Sequence, residues 1–329
     1  MIPQAALTAW RSRSPWRDDR QVEQDLLLSR LAIEIANHPR TADRLVWRGG
    51  TCLHKLHLPE PRRYSEDLDY VLVGDPGGVG WLVDAFREAA EASDMTIDNR
   101  EINRRGVKAW ATTPATPGAS TIRIKIEVNA ADATPRMALE RRLHEVDLPR
   151  WWSGRAQILT FQGPELVGTK FRALAQRSKG RDLWDLWLAR RELALPDSDL
   201  ADCGHYYLAH ESISPANFRA RLAAHLDTPD FAGDLGPLIL THPKPYDVQV
   251  VGLELISWTD QHLDPLFNAR RSRTSLARDQ RAWVKHGWAE GAQRCPVHER
   301  NREGSYARCP QWFLPDSGCP THRRRLGGR

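Results

Sequence analysis

The sequence predicts an α/β fold of the α+β kind: a mixed sheet with helices on it, continuing into a mainly helical C-terminal domain. Three observations carry this. Segments with two-residue alternation (68–73, 95–102, 107–113 and 121–130) are interleaved with segments of helical period (18–37 and 81–92). Gly and Pro clusters separate them. After about residue 160 the pattern becomes helical. The expected division is a core at 18–155, a helical domain at 156–275 and a basic tail at 276–329.

Taken in order, residues 18–37 form a helix that Asp18 or Asp19 can cap, with Val22, Leu26, Leu27, Leu31 and Ile35 on its apolar face. Leu45 to Trp47 is a short buried strand. Gly49-Gly50 makes a turn, and Thr51 to Leu58 forms a short helix stopped by Pro59. In 68–73, Leu68, Tyr70 and Leu72 point one way and Asp67, Asp69 and Val71 the other. A turn at Asp75 leads to a helix over Trp81–Ala92. Two strands then meet at Arg104-Arg105-Gly106, and Pro114 to Ser120 is a loop. In 121–130, Ile122, Ile124, Ile126 and Val128 alternate with Arg123, Lys125, Glu127 and Asn129. Helices follow over 165–177, broken at Lys179-Gly180, then 181–191, 198–211, 215–226 and 247–263.

Composition narrows the classes. No stretch approaches the ~20 apolar residues of a membrane span. The first 16 residues lack the apolar region of a secretory signal. Five scattered cysteines fit a cytoplasmic, disulfide-free protein. The net charge of +5 is a property of the tail: residues 270–329 hold 14 of the 47 Lys/Arg but 5 of the 42 Asp/Glu. The chain is therefore no uniformly basic nucleic-acid binder. The tail from Ala277 has four Val, Leu or Ile residues, too few for a core, and is expected to be disordered. Within it, Cys295-Pro-Val-His298 and Cys319-Pro-Thr-His322 repeat a Cys-x-x-His spacing that matches no defensible zinc pattern.

Three constellations can carry chemistry. Gly49-Gly50-Thr51 lets backbone N–H groups approach phosphate oxygens, with a hydroxyl donor beside them; a plain tight turn would look the same. Asp67 and Asp69, at i and i+2 on a strand, converge on one face and suit Mg²⁺ or Mn²⁺. Ser65 precedes them on that face, as a phosphate donor or a turn residue. If the strand of Glu127 neighbours 68–73, Glu127 can complete a three-carboxylate site; otherwise it pairs with Lys125 or Arg123. Residues 170–181 hold five bases, of which Lys170, Arg177 and Arg181 share a face if the helix continues through Gly180. They can hold polyphosphate or RNA, or be a solvated face. Asp182 and Asp185 can orient these bases, act as general base, or form structural salt bridges.

In order and spacing, Gly49-Gly50-Thr51, Arg63-x-Ser65-Glu66-Asp67-Leu68-Asp69, Lys125-Ile-Glu127 and Lys170…Arg177…Arg181-Asp182-Leu-Trp-Asp185 resemble the AbiEii/AbiGii-type nucleotidyltransferase toxins. That family includes the MenT-like toxins and has a polymerase-β-like nucleotidyltransferase core. The resemblance covers roughly residues 20–265. It implies a type IV toxin–antitoxin or abortive-infection toxin with a winged-helix antitoxin as partner. It implies Mg²⁺-dependent transfer of a nucleoside monophosphate from an NTP to RNA, in some members the 3′ end of tRNA. Carried over by position, Gly49, Gly50 and Thr51 would hold the triphosphate, aided by Ser65, Arg177 and Arg181. Asp67 and Asp69 would hold the metal, with Glu127 carried over less directly. Lys170 would neutralise phosphate, and Asp182 or Asp185 would support catalysis. Two other classes compete. A metal-dependent nuclease or phosphotransferase would shorten RNA or hydrolyse NTP. A non-catalytic RNA-binding module would bind without Asp67.

Overall fold

Strand β1 (Leu45–Arg48) is short and almost wholly buried, because it lies inside a seven-stranded sheet rather than at its edge. The computed structural model describes residues 2–14, 16–74, 78–115, 120–131, 134–239 and 246–286. It also describes 293–294, 298–300, 306–308 and 312–313, and it places side chains through Phe267. Residues Met1–Leu266 form one compact unit and Phe267–Arg329 a second.

In the first unit, helices α1 (Gln4–Arg11) and α2 (Asp19–Asn37) precede β1. The remaining strands are β2 (Asp67–Leu72), β3 (Thr96–Asn103), β4 (Gly106–Pro114), β5 (Thr121–Asn129), β6 (Glu140–Leu148) and β7 (Trp152–Thr160). Their spatial order is β3-β4-β5-β2-β1-β7-β6. The sheet is mixed: β2 with β5 and β1 with β7 are parallel, and the other neighbours antiparallel. The predicted α/β class is therefore the observed one.

Alternation explains how the sheet is buried. Leu68, Tyr70, Ile122, Ile124, Ile126 and Val128 are all 0–2% exposed. They pack with α2 and α4 (Trp81–Ala92), whose apolar faces hold Leu26, Leu28, Leu31, Leu82 and Phe86. Each such side chain contributes about 1.5–3 kcal/mol. The opposite edge of the alternation, Asp67, Asp69, Lys125 and Glu127, stays half-buried. Of the two candidate caps, Asp18 is the one used; it accepts from the Arg20 N–H at 2.8 Å.

Several boundaries differ from the sequence reading. The helical run after β1 begins at Gly49, not Thr51: α3 (Gly49–Cys52) passes directly into a π-helical turn over Leu53–His57. Helix α5 (Gly163–Gln176) does not continue into α6 (Gly180–Glu192), because Arg177 takes an extended conformation, φ −144° and ψ 146°. Strand periodicity does not predict β6 and β7. Each buries only a few side chains, His144 and Val146 on β6 and Ala156, Ile158 and Thr160 on β7.

Helices α7 (Asp197–His210), α8 (Pro215–Leu226) and α9 (Pro229–Gly233) complete the helical part, and α10 (Val248–His286) begins there. Beyond it, β8 (Gln293–Arg294) pairs with β11 (Trp312–Phe313) and β9 (His298–Arg300) with β10 (Tyr306–Arg308). The rest of the tail lies outside the described residues, with Cys295, Cys319 and His322. So do the turn at Asp75 and positions 116–119 of the loop after β4.

Candidate functional site

Strand register builds the site. Asp67 stands opposite Lys125 and Asp69 opposite Glu127 on β5, Lys125 and Glu127 stand opposite Trp110 and Lys108 on β4, and Asp69 stands opposite Arg48 on β1. Paired residues of neighbouring strands share a face. Two rows of side chains therefore cross the sheet: Trp110–Lys125–Asp67 and Lys108–Glu127–Asp69–Arg48.

The glycines sit over the end of these rows. Gly49 has φ +85°, a left-handed conformation that glycine adopts freely. A Cβ there would lie 2.5 Å from Asp69 Oδ2. A Cβ on Gly50 would overlap the Arg63 guanidinium and lie 3.2 Å from Asp185 Oδ2. The two glycines thus make room for the Asp69 carboxylate and the Arg63 side chain, while both still line the cavity.

Thr51 is placed differently from the expectation. It is 2% exposed and does not line the cavity. Its hydroxyl lies 2.7 Å from the Asp67 carbonyl and 2.6 Å from Ser65 Oγ. Thr51 Oγ1 is the donor in both contacts, its one proton shared between the Asp67 carbonyl and Ser65 Oγ. Thr51 thereby ties the start of β2 to the helix that begins at the glycine turn. Ser65 itself is half-buried and lines the cavity.

Beneath the glycines runs a buried ionic network. Arg63 Nε and Nη2 donate to the two Asp185 oxygens, both at 2.7 Å. Lys170 Nζ lies 2.7 Å from Asp185 and 3.0 Å from Asp182. Arg177 grips Asp182 with two bonds of 2.8 and 3.0 Å. His54 Nδ1 accepts from the Arg62 N–H, so the neutral ring carries its proton on Nε2 and donates to Asp185. Burial lowers the His54 pKa to about 4 against the pull of Asp185. Burial acts to raise both carboxylates, yet Arg63 and Lys170 hold Asp185, and Lys170 and Arg177 hold Asp182, below the usual range. Both aspartates are fully buried and absent from the cavity wall. In this arrangement their oxygens pair with Lys170, Arg63 and Arg177. Of the alternatives, salt bridging is the one formed, to Arg177 but not to Arg181. Arg181 instead lies 3.9 Å from Asp234.

The cavity above this network measures about 620 Å³. It brings together Gly49, Gly50, Ser65, Asp67, Asp69, Glu127, Lys170, Arg177 and Arg181, despite the helix break between Arg177 and Arg181. Arg177 is 52% exposed, leaving its outer edge open to the cavity. Arg63, His54 and Arg48 were not assigned from sequence. Arg63 stands inside the quoted motif, but its partner Asp185 is 122 residues away.

The acidic residues fit a metal in part. Asp69 is pushed above the usual carboxylate range by burial; Arg48 and Lys125 oppose this, and Asp67 and Glu127 add to it. A divalent cation beside Asp67 and Asp69 would favour the charged form, and Mg²⁺ commonly takes one or two carboxylates plus substrate phosphates. Glu127 is opposite Asp69, as required. However, Lys125 Nζ stands between it and Asp67, at 3.1 and 3.2 Å. Among the described residues no group of three His, Cys, Asp or Glu comes together to hold a metal. The Lys125 ammonium thus pairs with both Glu127 and Asp67 in this structure, and leaves Asp69 as the carboxylate it does not contact directly.

No curated protein matches the chain. Among solved structures it is similar to JHP933 from Helicobacter pylori, with 16% identity and a TM-score of 0.42, covering 79% of this chain and 99% of that one. It is also similar to MenT4, a nucleotidyltransferase toxin from Mycobacterium tuberculosis H37Rv, with 15% identity and a TM-score of 0.46, covering 79% and 89%. The family profile described as "Nucleotidyl transferase AbiEii toxin, Type IV TA system" matches residues 32–259, from α2 through the first part of α10. That span includes the glycine turn, the aspartate pair and the Lys170–Asp185 network, and the chain belongs to the AbiEii nucleotidyltransferase toxin family.

Proposed function

We propose that this nucleotidyltransferase toxin moves a nucleoside monophosphate from an NTP to RNA, at the 3′ end of tRNA, in the cytoplasm. The observation that carries the reading is the cavity itself: the Asp67–Asp69 pair on one wall, with Lys170, Arg177 and Arg181 on another. Asp67 and Asp69 would hold Mg²⁺ or Mn²⁺, which neutralises charge on the phosphates and the attacking oxygen. The backbone of Gly49 and Gly50 and the bases of α5 and α6 bind the triphosphate. The RNA hydroxyl oxygen attacks the α-phosphorus, the bond to the β-phosphate oxygen breaks, and pyrophosphate leaves. Lys170, fixed between two buried aspartates, stabilises charge without reorganising. The hydroxyl proton passes to solvent water in the cavity, since the oxygens of Asp182 and Asp185 are already taken by Lys170, Arg63 and Arg177.

A type IV toxin family implies an antitoxin partner; we take it to be the cognate winged-helix protein. No helix among the described residues is long and apolar enough to cross a membrane. The test is incubation with each of the four α-³²P-NTPs, Mg²⁺ and total tRNA. Labelled RNA lengthened by the added nucleotide is expected. Shortened RNA or free NMP without labelled RNA would overturn the reading in favour of a nuclease or phosphotransferase.

A further inference from the structure

Beyond Asp67 a second cavity of about 500 Å³ opens between the start of α2 and strands β4–β5. It shares Tyr64, Glu66, Asp67 and Lys125 with the first, but none of the α5–α6 bases lines it. An in-line transfer places attacking oxygen and leaving pyrophosphate on opposite sides of the α-phosphorus. If the triphosphate lies toward Lys170 and Arg177, the acceptor approaches from the other side of Asp67. The second cavity is on that side.

Its wall has the chemistry of a single-strand platform. Trp110 is the third member of the Trp110–Lys125–Asp67 row, two strand spacings or about 10 Å from the aspartate. The Arg123 guanidinium lies over the Trp110 ring, 5.0 Å from its centroid, so the two flat groups lie together in one cation–π contact at the cavity wall. Arg123 is 49% exposed, with its nearest carboxylate, Asp98, 3.9 Å away. The half-buried Trp110 and Gln21 both line the cavity, where an indole N–H and a side-chain amide can meet a base edge. Unstacked RNA bases lie on aromatic and guanidinium planes in this way, with their edges read by side-chain donors and acceptors.

We propose that Trp110 and Arg123 stack the terminal base of the acceptor RNA, with Gln21 at its edge, and so set its 3′-hydroxyl beside Asp67. The proposal rests on the nucleotidyl transfer proposed above. A half-exposed Trp–Arg pair can also be simple packing, so the test separates binding from stability.

Trp110→Ala, Trp110→Phe and Arg123→Ala are compared with the wild type for KM toward tRNA, KM toward the NTP, and Tm. Loss of one base stack weakens acceptor binding by about tenfold. Trp110→Ala and Arg123→Ala are expected to raise the tRNA KM by that factor with the NTP KM unchanged, and Trp110→Phe to restore most of it. A rise in the NTP KM alone would overturn the proposal, because the surface would then hold the donor base. A lower Tm with both KM values unchanged would also overturn it. If the wild type labels no RNA, the transfer reading fails by itself. The platform is then judged by anisotropy of a fluorescein-labelled single-stranded oligoribonucleotide: about tenfold weaker binding to Trp110→Ala supports it, and equal binding overturns it.

Discussion

Replacing Gly50 with alanine adds a methyl group where the Arg63 guanidinium already lies. The new Cβ would stand 3.0 Å from Arg63 Cζ and 3.2 Å from Asp185 Oδ2, with a closer overlap on an Arg63 terminal nitrogen. An exposed arginine would swing aside at little cost. Arg63 is 5% exposed and holds both Asp185 oxygens, so moving it strips a buried carboxylate of its bidentate partner. Breaking a buried pair costs about 3–5 kcal/mol. Lys170 and His54 remain on Asp185, which favours the lower end of that range. For a unit spanning Met1–Leu266 this is a fall in Tm on the order of 10 °C. Transfer activity should fall as well, since Lys170 depends on the same aspartate. The assay is thermal unfolding alongside label transfer, with Arg63→Ala and the double variant completing a cycle. Once Arg63 is gone, the extra methyl should cost little. A Gly50→Ala protein with wild-type Tm and only a raised NTP KM would refute this reasoning. The glycine would then serve phosphate approach rather than the Arg63–Asp185 pair.

Thr51→Val removes a buried hydroxyl that joins Ser65 to the Asp67 carbonyl; a Tm loss equivalent to about 1–3 kcal/mol is expected, with less effect on the NTP KM than Arg177→Ala. A larger NTP KM effect for Thr51→Val would restore it as a direct ligand. Burial lowers the pKa of His54 to about 4 and of His57 and His144 to about 3. Their folded values lie below the unfolded ones, so the unfolded chain binds more protons as pH falls. Stability should drop from about pH 6.5 toward 4, read as a declining Tm; a flat profile over that range contradicts it. Asp185 is likewise lowered, by Arg63 and Lys170 against burial. Its contribution should be present above about pH 4 and lost below. The Tm gap between wild type and Asp185→Asn should therefore close in acid, and a constant gap would count against the ion pairs.

How much of this was legible in the sequence depends on what each residue's neighbours are. Strands β2 and β5 announce themselves because one side of each is fully apolar, Leu68 and Tyr70 against Asp67 and Asp69, Ile122 to Val128 against Arg123 to Asn129. Strands β6 and β7 do not. Glu140-Arg-Arg-Leu-His-Glu-Val-Asp-Leu148 lies at the sheet edge, with Leu143 53% exposed and a histidine among its few buried residues. The aspartate pair and the bases of 170–181 could be proposed from spacing alone. Their division of labour could not. Whether Asp185 faces substrate or supports Arg63 is decided by a contact across 122 residues, and whether Glu127 is free depends on where Lys125 points. The Gly-Gly turn was read as room for phosphate, while the side chains that fill its space belong to β2 and the loop before it.

The central claim is that the Asp67–Asp69 pair drives transfer. The most direct measurement is label transfer from α-³²P-NTP to tRNA at saturating Mg²⁺, wild type beside Asp67→Ala, with unfolding curves for both. Asp67 is half-exposed and its side chain meets one ammonium, so the variant should keep its Tm while transfer disappears. Transfer retained in a folded, metal-replete Asp67→Ala protein would contradict the account.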